Sequence, residues 1–201
     1  ALRVVQWNGG GVMPAIDERY RPQTFADVAG NERAVKLCRL IAEGVRDTGA
    51  PEVALLSGES GIGKTTCAYI MARTAGAHRT QTHVIESGGC TIDNLRHLAE
   101  GFCYTSLFGA RAIIIEEVDT ATPAALKYLL TFLESLPRHS MVIMTSNIKA
   151  GELFAGVHQS AFGRRAHPIP FTTQGLATRK GGLGPGALRV RAVMAAEGLD
   201  G

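Results

Sequence analysis

Apolar residues along this chain alternate between two rhythms. Short runs at 53–57, 82–86, 112–115, 141–144 and 169–171 have the length of strands, and those at 53–57 and 112–115 are apolar enough for strands buried within the sheet. Between them, apolar residues recur at helical steps. Val35, Leu37, Cys38, Leu40, Ile41 and Val45 follow Asn31, a helix-capping residue type, and Gly49 ends that element. Residues 64–75 read as the next helix, and Thr91 precedes Ile92, Leu95, Leu98 and Phe102 on one helical side. Thr122-Pro123 is a cap followed by proline at the first helical position, and Pro137 stops that helix after Leu136. Strands that alternate with helices of this length predict an α/β fold with a parallel five-stranded sheet and helices on both faces. Residues 1–17 are glycine-rich and weakly patterned, and read as an extended N-terminal arm in which Trp7 packs on the domain or on a partner. After a domain spanning 18–171, residues 172–201 hold a glycine-rich linker and a short helical pattern at 187–197.

Composition narrows the classes. The chain has 201 residues, 45% hydrophobic and 19% charged, with a net charge of +3, which suits one globular domain and permits nucleic-acid contact without arguing for it. Cys38, Cys67, Cys90 and Cys103 form no C-x-x-C pair, so neither a zinc site nor a disulfide framework is expected. His78, His83 and His97 lack ligand spacing and read as surface or edge residues. No run approaches about 18 consecutive apolar residues and no charged-then-apolar leader opens the chain, so a reducing, cytoplasmic setting without membrane contact is expected.

Two motifs carry chemistry. Gly58-Glu59-Ser60-Gly61-Ile62-Gly63-Lys64-Thr65 matches G-x-x-x-x-G-K-[ST] and lies between an apolar strand and a helix, the context that pattern requires. Glycines let successive N–H groups turn inward around phosphates, and the helix N-terminus adds partial positive charge. Lys64 is then expected to reach the β- and γ-phosphates, Thr65 to hold Mg²⁺, and Thr66 to complete the loop. The second motif is Glu116-Glu117-Val118-Asp119 after the 112–115 strand. It places carboxylates at the carboxyl edge of the sheet, where such sheets bind ligands. One carboxylate (Glu116) is expected to serve the Mg²⁺ shell and the next (Glu117) to activate the attacking water.

With these motifs stands E-R-Y-R-P-Q-T-F-A-D-V-A-G-N-E at 18–32, which resembles the opening segment of AAA+ ATPase subunits of DNA sliding-clamp loaders, the replication factor C-like and phage clamp-loader-like proteins. The resemblance implies a P-loop NTPase fold of the AAA+ type and places Tyr20, Arg21, Pro22 and Val28 at the adenine pocket. E-E-V-D and the helix after it are similar to the family's Walker B region, T-S-N at 145–147 to its first sensor, with Asn147 on the γ-phosphate or lytic water, and G-R-R at 163–165 to its S-R-C motif. Arg164, or its neighbour Arg165, is thereby the arginine finger for an adjoining subunit. The family implies ATP and Mg²⁺ as ligands. Its partners are sister AAA+ subunits in a hetero-oligomeric ring, a pentamer, together with a sliding clamp and primer–template DNA. The setting is cytoplasmic, in the host for a phage-encoded chain.

The sequence departs from the family at three places. Glu116 replaces the usual aspartate, moving the carboxylate by roughly 1.5 Å, a shift that slows hydrolysis unless a water-bridged Mg²⁺ absorbs it. Gly163 and Arg165 replace serine and cysteine around Arg164. G-A-L-R at 186–189 echoes a second-sensor motif, but L-R-V-R-A-V-M-A-A-E-G-L reads rather as the first helix of a partial lid, with the rest of the lid and a collar expected to be absent. Two other functions remain open: a DNA-associated AAA+ motor of helicase or recombination type, and a nucleotide-binding scaffold subunit without turnover.

Overall fold

The computed structural model describes residues 2–4, 20–102, 109–154, 162–173 and 184–196. Trp7, Cys103 and the end of the last helical pattern lie outside them. Five parallel strands form as the apolar runs predict: β2 (Glu52–Ser57), β3 (Ala77–Ile85), β4 (Ala110–Ile115), β5 (Ser140–Ser146) and β6 (His167–Pro170). A sixth strand, β1 (Leu2–Val4), pairs antiparallel with β3 and extends the expected five-stranded sheet at its edge. Three residues are too few to show a two-residue period, so the sequence reads only as an arm there.

The side-chain period of two divides the sheet into two apolar faces. Ala54, Leu56, Val84, Ala112, Ile114, Met141 and Ile143 pack under α1 (Glu32–Thr48) and α2 (Lys64–Thr74). Val53, Leu55, Ile85, Ile113, Ile115, Val142 and Met144 pack under α3 (Ile92–Phe102) and α4 (Pro123–Glu134). Ile113, Ile114 and Ile115 are all fully buried, each stabilising the fold by about 1.5–3 kcal/mol. These three residues make β4 a rigid stem for the carboxylates that follow.

Helix signals divide between side chains and position. The Thr122 hydroxyl accepts the Ala125 N–H at 3.2 Å, as the cap pattern predicts, but α4 ends at Glu134, short of the expected Leu136. Asn31 stands at the N-cap of α1 yet makes no side-chain cap bond. Its Oδ1 instead accepts the Thr172 N–H at 3.0 Å, tying the start of α1 to the segment after β6. Along α1, Cys38 and Val45 are fully buried while Leu40 faces solvent at 66% exposure, so the true apolar stripe is narrower than the sequence pattern. β3 begins five residues earlier than expected because its first half is polar and exposed. The later elements are α5 (Ala150–Leu153) and α6 (Pro185–Ala196). None of the described helices is long and apolar enough to cross a membrane.

Strand order positions the site. The sheet runs β1-β3-β4-β5-β2-β6, so β5 lies between β4 and β2. The three carboxyl ends carrying Glu116-Glu117, Asn147 and the glycine loop are therefore neighbours on one edge, at the place where parallel sheets bind ligands.

Candidate functional site

The glycine loop leaves β2 and enters α2 through residues that only glycine accommodates easily. Gly58, Gly61 and Gly63 all have positive φ (146°, 78° and 94°). A Cβ on Gly58 would lie 2.4 Å from the Phe171 carbonyl oxygen, so the loop and the end of β6 leave no space for a side chain. Ile62 is buried and anchors the loop, while Glu59, Ser60 and Gly61 are exposed. Thr65 and Thr66 are half-buried in the first turn of α2.

Lys64 is 7% exposed and its ammonium is fully engaged. It donates to the Gly58 carbonyl (2.8 Å), the Glu59 carbonyl (2.6 Å) and Asn147 Oδ1 (3.1 Å). Burial lowers the lysine's pKa, opposed by the charges of Asp119 and Glu117. A cation curled onto its own loop, beside backbone turned by three positive-φ glycines, suits a polyphosphate that replaces those carbonyl contacts.

From Lys64 a polar chain crosses the sheet edge. Asn147 Nδ2 donates to Glu117 Oε1 at 3.2 Å, and the Ser87 hydroxyl donates to Glu117 Oε2. Asn147 is itself held by its N–H on Asp119 Oδ1, 3.0 Å away. Glu117 adopts φ 48°, ψ 54°, a left-handed conformation that costs a non-glycine residue roughly 1–3 kcal/mol. Its N–H is secured at 3.0 Å by the hydroxyl of buried Thr145, and the Thr120 hydroxyl donates to its carbonyl. The strain turns the Glu117 side chain off the strand's alternation and toward Asn147. Ser87 had no sequence signal beyond following the second apolar run.

Glu116 takes a different direction. Its N–H donates to the Ile85 carbonyl at 2.9 Å, and its side chain is half-buried. Burial first, and then the Glu86 charge, raise its pKa, while the Arg21 charge and the nearby Tyr69 oppose the rise. The 20–28 segment runs along α2: the Arg21 guanidinium lies 5.9 Å from the Tyr69 ring centre, and Gln23 accepts from Arg73. Tyr20 and Pro22 are half-buried, and Val28 packs against the α1–α2 face of the core. The Tyr20 carbonyl accepts from Arg189 of α6 at 2.9 Å. Arg21 thus faces Tyr69, and its charge acts on the Glu116 carboxylate.

The arginine pair divides. Arg165 forms an ion pair with Glu134 on α4 at 3.0 Å, whereas Arg164 is exposed. Phe162 just before them is buried and stacked on Phe154 with centroids 3.7 Å apart, which fixes the segment. Mg²⁺ at nucleotide sites takes one or two protein oxygens and completes its shell with phosphates and water. The Thr65 hydroxyl and the Glu116 carboxylate are hard oxygen donors of that kind.

Residues 54–164 match the family model described as ATPase family associated with various cellular activities (AAA). Among similar curated proteins, the replication factor C small subunit of Methanosphaera stadtmanae is 34% identical over 136 residues, covering 65% of this chain and 41% of that protein. The Holliday junction branch migration complex subunit RuvB of Chlorobaculum parvum is 33% identical over 120 residues, covering 59% and 33%. The solved structure of the Thermotoga maritima RuvB Holliday junction branch migration motor superposes with a TM-score of 0.57 at 22% identity, covering 76% of this chain and 48% of that one. The chain spans about two fifths of the length of the replication factor C relatives it matches.

Proposed function

The chain belongs to the AAA family of ATPases, and from that membership we propose that it binds ATP and Mg²⁺ and hydrolyses ATP as one subunit of a DNA sliding-clamp loader. The observation that carries the ATPase reading is the unbroken polar chain from Lys64 through Asn147 to Glu117 beside the glycine loop. It joins a phosphate-binding cation, a polar sensor and a water-activating carboxylate on one sheet edge. The clamp-loader assignment is supported by the replication factor C relatives and by the Y-R-P opening at 20–22.

Lys64 exchanges its two carbonyl partners for β- and γ-phosphate oxygens. Asn147 keeps hold of Glu117 and turns its own amide to the γ-phosphate or the attacking water. Glu117 takes the proton of that water as the oxygen forms its bond to phosphorus and the bond to the β-phosphate oxygen breaks. Thr65 and Glu116 would hold Mg²⁺, which supplies charge neutralisation between the phosphates. The Tyr20–Pro22 stretch and Val28 would receive the adenine. Partners in this reading are sister AAA+ subunits in a ring, the clamp and primer–template DNA, whose phosphates the exposed basic residues would meet.

Arg164, the middle residue of G-R-R at 163–165 and exposed, is the finger offered to a neighbouring subunit in this reading. An arginine delivered in trans raises phosphoryl-transfer rates by roughly 10³-fold or more. Arg164→Ala is therefore expected to leave this chain's ATP affinity intact and to cut turnover only in assembled complexes. Mixing it with Glu117→Gln subunits places the two lesions on different faces of each interface, and phosphate release read across mixing ratios separates them. Weaker nucleotide binding by isolated Arg164→Ala protein would assign the residue to its own site and remove the ring assignment's main residue.

A further inference from the structure

The segment read as receiving the base is fastened to the helix that starts in the glycine loop. Thr65, Tyr69 and Arg73 stand four residues apart along α2, so they share one face of it. All three are half-buried, whereas Cys67, Ala68, Ile70, Met71 and Ala72 between them lie in the core. Thr65 ends this row at the phosphate loop, and the other two members hold residues 21–23. The Arg21 guanidinium lies over the Tyr69 ring, and Arg73 donates to Gln23 Oε1. Gln23 Nε2 in turn donates to the Arg21 carbonyl at 2.9 Å. An arginine only donates and a carbonyl only accepts, so an amide side chain can stand between them, giving its oxygen to one and its nitrogen to the other. Asp27 closes the far side of the turn: its carboxylate accepts the Gln23 N–H at 3.3 Å and the Thr24 N–H at 2.9 Å.

We propose that Arg73 is a positioning residue for the nucleotide base: through Gln23 it fixes the turn at Tyr20–Pro22, so that α2 holds the phosphates at its first turn and the base-binding segment two turns later. This role rests on the reading of Tyr20, Pro22 and Val28 as the adenine site. A turn ordered in advance spares the nucleotide the cost of ordering it on binding. Because Arg73 acts through that turn, its loss weakens the hold on the base and leaves the hold on the phosphates as it was.

Calorimetric titration of the full chain with a non-hydrolysable ATP analogue and with inorganic tripolyphosphate, each with Mg²⁺, separates base from phosphates. Arg73→Met keeps the aliphatic stem and suits a helix. It is expected to weaken binding of the ATP analogue by roughly 10-fold, the size of one hydrogen bond to a charged group, with tripolyphosphate unchanged. Arg73→Lys, which still offers Gln23 a donor, should restore most of the affinity. Gln23 is exposed, so Gln23→Ala leaves the core untouched. It should reproduce the loss, and adding Arg73→Met to it should cost nothing more. An equal loss for both ligands overturns the proposal, because Arg73 would then act through the glycine loop. Losses that add in the double variant overturn it too, by removing Gln23 from the path. Full affinity for the ATP analogue in Arg73→Met, while Tyr20→Ala weakens that ligand alone, overturns it and leaves the base site standing. If the wild-type chain holds the ATP analogue no more tightly than tripolyphosphate, the reading of the base site falls and the proposal with it.

Discussion

Lys64→Ala is expected to lower ATP affinity by on the order of 10²-fold or more. The lysine ammonium is buried to 7% exposure and makes three hydrogen bonds, two of them to carbonyls of its own loop. ATP converts those two into bonds between charged partners, worth about 1.5–3 kcal/mol each, and every 1.4 kcal/mol is about tenfold in affinity. Alanine removes the cation and leaves the Gly58 and Glu59 carbonyls facing the site, where they repel phosphate oxygens. The fold should persist, because the loop's shape comes from the positive-φ glycines and from Ile62 in the core. Calorimetric titration of ATP reads the effect directly. Wild-type affinity in the variant would mean that the loop is not a phosphate site.

Glu117→Gln separates binding from chemistry. Glutamine has the same shape, and its amide can still accept from Asn147 and meet the Ser87 hydroxyl, so the strained φ of 48° and its supports should survive. What disappears is the negative charge that takes a proton from water. ATP should bind as tightly as to wild type, and turnover should fall by roughly 10²–10⁴-fold, the usual contribution of general-base catalysis. Single-turnover phosphate release beside equilibrium ATP binding measures both quantities. If Glu116→Gln stops turnover and Glu117→Gln does not, the two carboxylates have exchanged roles.

Much of this arrangement was legible in the chain because it depends on local pattern. The glycine loop is written in consecutive residues, and its strand and helix follow from apolar period and length. Thr122-Pro123 announces α4 for the same reason. The polar chain was less legible, since it depends on which strands are neighbours. Nothing near Asn147 in sequence says that β5 lies between β4 and β2, and the resemblance to clamp loaders alone pointed to that residue. Ser87 and Tyr69 were missed for different physical reasons. Ser87 is an ordinary serine in a loop until β3 and β4 bring it to Glu117. Tyr69 fills a half-apolar position in a helix, where an aromatic reads as packing, and its contact with Arg21 comes from a distant stretch of chain. The left-handed backbone of Glu117 was invisible too, because glutamate carries no preference for it. Nothing near Arg165 in sequence says that it meets Glu134 on α4, an ion pair that only the fold brings together.

The most direct test of the clamp-loader account is steady-state phosphate release by this chain assembled with its partner subunits, with and without sliding clamp and primer–template DNA. The account predicts that clamp and primed DNA together raise turnover at least about tenfold, as expected when binding brings a finger arginine such as Arg164 into the neighbouring site, and that Glu117→Gln abolishes the increase. Turnover indifferent to clamp and primed DNA, but raised by four-way junction DNA with strand movement, would contradict it and assign the chain to the branch-migration motors.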